Sequence, residues 1–93
     1  MNKFHLNFKN ITTRPELHDR IALELSFPEW YGKNLDALHD CLLDISTETL
    51  LIVENIDFLE ESLGRYAMNL KKVLIDAADE NNFLDIEFKS PEN

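Results

Sequence analysis

Leu50-Leu51-Ile52-Val53 is a continuous apolar run between polar flanks, and no other segment restricts the fold as much. Because it does not alternate with polar residues, it reads as a strand covered on both faces, hence as the central strand of a parallel sheet. Its neighbours are visible on either side. Phe4, Leu6 and Phe8 alternate with His5 and Asn7, and Leu84, Ile86 and Phe88 alternate with Asp85 and Glu87. That is the period-2 pattern of strands with one buried face, and the second set reads as an edge strand.

Helical patterns fill the intervals. Thr13 with Glu16 has capping-box spacing, Pro15 suits a first turn, and Leu17, Ile21 and Leu25 recur at i, i+4 and i+8 until Pro28 restricts Phe27 and stops the helix. A second helix opens after Gly32 with Asn34 as its N-cap and Leu35, Leu38, Leu42 and Ile45 as its core stripe. Asp57 with Glu60 suggests a cap for a short third helix ending near Gly64. Ala67, Leu70, Val73, Leu74 and Ala77 then mark a longer one up to about Asn81. Strand, two helices, strand, two helices, strand is an α/β order in which right-handed crossovers make the strands parallel. The 93 residues form one domain, 1–93, with a short polar tail from about residue 89. A chain of this size can bury roughly 60–70% of its unfolded surface, enough for a core without metal or disulfide staples.

The formal net charge is −9, which disfavours direct contact with nucleic acid or an anionic membrane and favours a basic partner. A lone Cys41 cannot form an intramolecular disulfide. The N-terminal residues carry no secretory h-region, and no apolar run approaches the ~20 residues of a membrane span. The expected location is the cytoplasm. The charge is unevenly placed. Residues 29–61 hold one base, Lys33, against nine acids, and no Lys or Arg occurs from 34 to 64.

Within that stretch Asp36, Asp40 and Asp44 follow one another at i, i+4 and i+8, away from the leucines. Like charges at this spacing destabilise a helix by a few tenths of a kcal/mol per pair. Asp36 gains from the positive helix N-terminus, whereas Asp44 lies where the dipole opposes it. One reading is a solvated face on an acidic protein; the other is a face kept acidic for a partner. Trp30 and Tyr31 immediately upstream either plug the core or extend such a contact surface.

Catalytic readings are weaker. Asp36, His39 and Asp40 share a helical face and can be drawn as an acid/base unit or as metal ligands, but a single helix makes an incomplete site, and neither His5 nor His18 has a reason in the sequence to converge on it. Cys41 falls toward the leucine side, the place of a small core residue. Gly32 and Gly64 form no phosphate-binding loop, so no cofactor is expected.

The run Phe27-Pro28-Glu29-Trp30-Tyr31-Gly32-Lys33-Asn34-Leu35-Asp36-Ala37-Leu38-His39-Asp40-Cys41-Leu42 resembles the signature of the barstar family of intracellular ribonuclease inhibitors, and the order and length of the remaining elements agree with it. The resemblance implies a barstar-like two-layer α/β fold, a three-stranded parallel sheet of order 1-2-3 with helices packed on it. It also implies a non-enzymatic function, one-to-one occlusion of a basic barnase-type ribonuclease by the second helix and its preceding loop. On that basis Asp40 is the central anchor standing in for a substrate phosphate, with Asp36 beside it. Asn34 and Leu35 contribute at the helix entry and Trp30 is an aromatic contact; Asp44 and His39 join the expected partner-binding face by their position on the same helix, not through the resemblance. Asp76 on the long helix is an acidic contact. His39 and Ile45 depart from aromatic residues of the best-known member. The alternative is an acidic protein–protein interaction module with a basic partner that is not a nuclease.

Overall fold

The computed structural model describes residues 1–89. The chain runs β1 (Asn2–Asn7), α1 (Arg14–Leu25), α2 (Leu35–Leu43), β2 (Thr49–Glu54), α3 (Ile56–Leu63), α4 (Arg65–Glu80) and β3 (Leu84–Lys89). The sheet has the order β1-β2-β3 with both pairs parallel, so the apolar run does form the central strand of an α/β fold. β3 takes in Lys89, which the sequence reading gave to the polar tail; residues 90–93 of that tail lie outside the described residues.

Register explains how the central strand is covered. Phe4, Leu51 and Ile86 are aligned across the sheet, as are Leu6, Val53 and Phe88, and this face packs into the helices. Leu51 and Val53 are fully buried there. Leu50 and Ile52 point the other way, flanked by Lys3 and Asp85 and by His5 and Glu87. They lie outside the main core cluster, and Leu50 is half-buried. The unbroken apolar run therefore reflects the central position of β2 more than a helix layer on each face.

The helices turn their stripes to the sheet. Leu17 and Ile21 of α1, Leu38 and Leu42 of α2, Ile56 and Leu59 of α3, and Leu70 and Leu74 of α4 are buried together. Burying each such side chain contributes roughly 1.5–3 kcal/mol.

Two boundaries differ from expectation. α1 stops because Ser26 adopts a left-handed conformation, φ 55°, and donates its N–H to Ala22, two residues before Pro28 acts. α3 opens without help from Asp57. The chain leaves β2 through Asn55, also left-handed at φ 61°, and Asn55 Nδ2 donates to Asn7 Oδ1 at 2.7 Å instead of capping the helix. Asn tolerates this conformation better than most residues, so an immediate strand-to-helix turn replaces the capping box. Thr13 does cap α1, accepting from the Glu16 N–H.

Candidate functional site

α2 is nine residues long, too short to persist alone, so packing and caps hold its shape. Asn34 Oδ1 accepts from Ala37 N at 2.8 Å and closes the N-terminus as expected. Leu38 and Leu42 anchor the inner side; Leu35 and, just beyond the helix, Ile45 are half-buried against the same core. Asp36 and Asp40 consequently face solvent one turn apart. Asp44 is exposed as well, but it is the C-cap residue rather than part of the helical stripe. Among the described residues none of these three carboxylates lies within ion-pair distance of a base. Lys33, the single base of that stretch, pairs with Asp19 of α1 at 2.8 Å.

Trp30 is 80% exposed, whereas its neighbour Tyr31 is 5% exposed and belongs to the core. The two possible roles of the aromatic pair are thus divided between them. At the entry of α2, Asn34, Leu35 and Asp36 line an open cleft of about 400 Å³ together with Arg14, Pro15, Lys33 and Tyr66. This end of the face is of mixed charge, and the purely acidic part begins at Asp40.

His39 does not join Asp36 and Asp40. Its Nε2 lies 2.8 Å from Glu80 Oε2, so the ring is directed at the end of α4 and is largely covered. The drawn acid/base unit is not assembled. Asp76 is exposed one turn before Glu80, hence on the α4 face that borders α2. Glu80 was missed although its i+4 spacing from Asp76 was readable. Burial, together with the Asp44 and Asp40 carboxylates, pushes the Cys41 thiol up and so disfavours the thiolate. Among the described residues no cluster of His, Cys, Asp and Glu is arranged to hold a metal ion, and no helix is long and apolar enough to cross a membrane.

Behind this face lies a group that the pattern of the sequence did not suggest. His18 of α1 is 1% exposed. Its Nδ1 is 2.7 Å from the Tyr31 hydroxyl and its Nε2 is 2.6 Å from the Tyr66 hydroxyl. The ring links α1, the loop that carries Trp30, and α4. Arg14 stacks over Tyr66 at 4.2 Å from the ring centroid. Burial lowers the pKa of His18, with Asp19 opposing and Lys33 adding to the effect, so the ring is held neutral: one nitrogen donates and the other accepts.

Parallel sheet, covering helices and an outward acidic helix define a class, small α/β proteins that carry an exposed acidic helix on one face. The sequence matches the family model Barstar (barnase inhibitor) over residues 1–90. It is 39% identical over 84 residues to the Bacillus subtilis (strain 168) protein named "Putative ribonuclease inhibitor YrdF", an overlap of 89% of this chain and 86% of that protein. The chain belongs to the barstar family, whose members are inhibitors and not enzymes.

Proposed function

We propose that this protein is an intracellular inhibitor of a basic, barnase-type ribonuclease, protecting its producer by blocking the nuclease active site one-to-one. The observation that carries the reading is the pair Asp36 and Asp40, exposed and, among the described residues, without a base in ion-pair distance, on a helix held by packing and capping. A nuclease cleft is basic because it binds RNA phosphate. A desolvated carboxylate there forms short charge-assisted hydrogen bonds with Arg, Lys or His. Asp40 is the anchor and Asp36 its neighbour. Asn34 and Leu35 contact at the helix entry, Trp30 supplies apolar area, Asp44 and Asp76 extend the acidic field, and His39 contributes through its outer edge. The family and the relative named as a ribonuclease inhibitor support this assignment.

The test is titration of barnase-type ribonucleases with the parent and with Asp40→Ala. Stoichiometric inhibition by the parent, weakened at least about a hundredfold in Asp40→Ala, is expected for a central charged anchor. Inhibition by both proteins alike, or by neither, would refute the proposal. A complex that forms but leaves nuclease activity intact would point to an interaction module with a non-nuclease partner.

A further inference from the structure

We propose that Asn81, at the end of α4, is a positioning residue that holds the C-terminal end of α2 and thereby the docking carboxylate Asp40; the binding part of this proposal rests on the inhibitor reading above. The last turn of a helix leaves carbonyls without partners inside the helix. α2 ends without a basic residue in its last turn, and its C-cap, Asp44, is in the right-handed region rather than a left-handed glycine cap. Asp40 and Asp44 also put negative charge at the negative end of the helix dipole. The Asp44 and Ile45 N–H groups meet part of this demand at the carbonyls of Asp40, Cys41 and Leu42, and the rest must be met from elsewhere in the fold.

Asn81 supplies it. The residue is 8% exposed, and its Nδ2 donates to the carbonyls of Leu42 at 3.0 Å and Ile45 at 2.9 Å, with that of Leu43 at 3.5 Å. Its Oδ1 accepts from Phe83 N at 2.9 Å. The orientation of the amide is forced, because carbonyls only accept and the Phe83 N–H only donates. The preceding residue, Glu80, accepts from His39 Nε2. The last residue of α4 and its C-cap thus grip α2 on either side of Asp40, at the His39 ring and at the carbonyls in and just beyond the last turn. The chemistry of the cap matters as well as its position. A Lys or Arg there would satisfy the same carbonyls and the dipole, but it would place a cation beside Asp40 and Asp44. A neutral amide secures the helix end and leaves the charge of the face intact.

The experiment compares Asn81→Ala and Asn81→Asp with the parent. Asn81→Asp retains an acceptor for Phe83 but turns a carboxylate toward the α2 carbonyls. Two quantities are read: dissociation from a barnase-type ribonuclease, and hydrogen exchange of the Asp44 and Ile45 amides in the free protein. In both variants these amides should exchange faster while the strand amides stay protected. Dissociation should accelerate about tenfold, or about 1.4 kcal/mol, with association changed by less than about twofold in Asn81→Ala because no charge is altered. Ser62→Ala is the control. It removes another side-chain bond to a carbonyl, Ser62 Oγ to Ile11 O at 3.0 Å, and should leave dissociation unchanged. In an Asp40→Ala background Asn81→Ala should no longer accelerate dissociation, an outcome that a general loss of stability would not produce. Unchanged amide exchange in Asn81→Ala, or the same tenfold effect without Asp40, overturns the proposal. Should the parent inhibit no such nuclease, the inhibitor reading fails by itself and amide exchange alone decides whether Asn81 positions α2. If Asn81→Asp unfolds, Asn81→Ala carries both comparisons.

Discussion

Lowering the pH from 7.5 to 5 should destabilise the fold through His18, with a sign and slope that follow from its surroundings. Burial is the main cause that lowers the folded-state pKa of this ring below the ordinary 6.5. Below about pH 6.5 the unfolded chain therefore takes up a proton that the folded state refuses, and stability falls as pH falls. The contribution is fully present above about pH 6.5 and is lost as pH drops toward the folded-state pKa. Its slope approaches the value for one proton, about 1.4 kcal/mol per pH unit. Against the roughly 5–15 kcal/mol typical of a domain, even a single pH unit of this loss is measurable. Urea unfolding of the parent and of His18→Gln at pH 7.5, 6.5, 5.5 and 5.0 isolates the effect, because every other ionisable group is common to both proteins and drops out of the difference. The parent should lose stability more steeply than the variant below pH 6.5. Equal slopes would mean that the buried ring accepts its proton as readily as it does in the unfolded chain, and the account of a neutral His18 between two tyrosines would be wrong.

Two further outcomes are expected. Asn34→Ala removes the side-chain acceptor for Ala37 N and should cost about 1 kcal/mol in stability, read by chemical unfolding; an unchanged midpoint would show that water replaces the cap without loss. Association with a barnase-type ribonuclease should slow roughly tenfold between about 10 mM and 300 mM salt, since the Debye length is only about 10 Å at 0.1 M; stopped-flow rates independent of salt would remove the steering role assigned to the acidic helix.

The fold was largely legible because its signals are local and redundant. The unbroken Leu50–Val53 run, the two alternating strands, the Thr13 and Asn34 caps and the leucine stripes each point to the same arrangement. Where the sequence misled, a backbone choice decided. Ser26 and Asn55 enter the left-handed region, and nothing in their neighbourhoods signals that a serine would end α1 or that an asparagine would begin α3 without capping it. The exposed carboxylates of α2 could be read from helical spacing, since a residue opposite a leucine stripe has nowhere else to go. The partners of His39, Asn81 and His18 could not. Each depends on which helix lies alongside: Glu80 is 41 positions from His39, Leu42 is 39 from Asn81, and Tyr66 is 48 from His18.

This division has a physical basis in how α2 is held. Its outer face works against the helix, with carboxylates one turn apart and an acidic residue at the negative end of the dipole. Its length gives it no stability of its own. What fixes it must come from groups that do not answer its charge: Leu38 and Leu42 in the core, the Asn34 amide oxygen at one end and the Asn81 amide at the other. The nearby cations are engaged elsewhere, Lys33 with Asp19 and Arg14 over Tyr66. Every residue that stabilises α2 directly is apolar or neutral, apart from the His39 contact with Glu80 at its edge. A helix supported only by its own sequence would recruit lysines at i+4 and in its last turn, and would present a neutralised surface. Support from α4 and the core is what allows the carboxylates to remain unpaired, and an unpaired carboxylate retains its full attraction for a basic cleft.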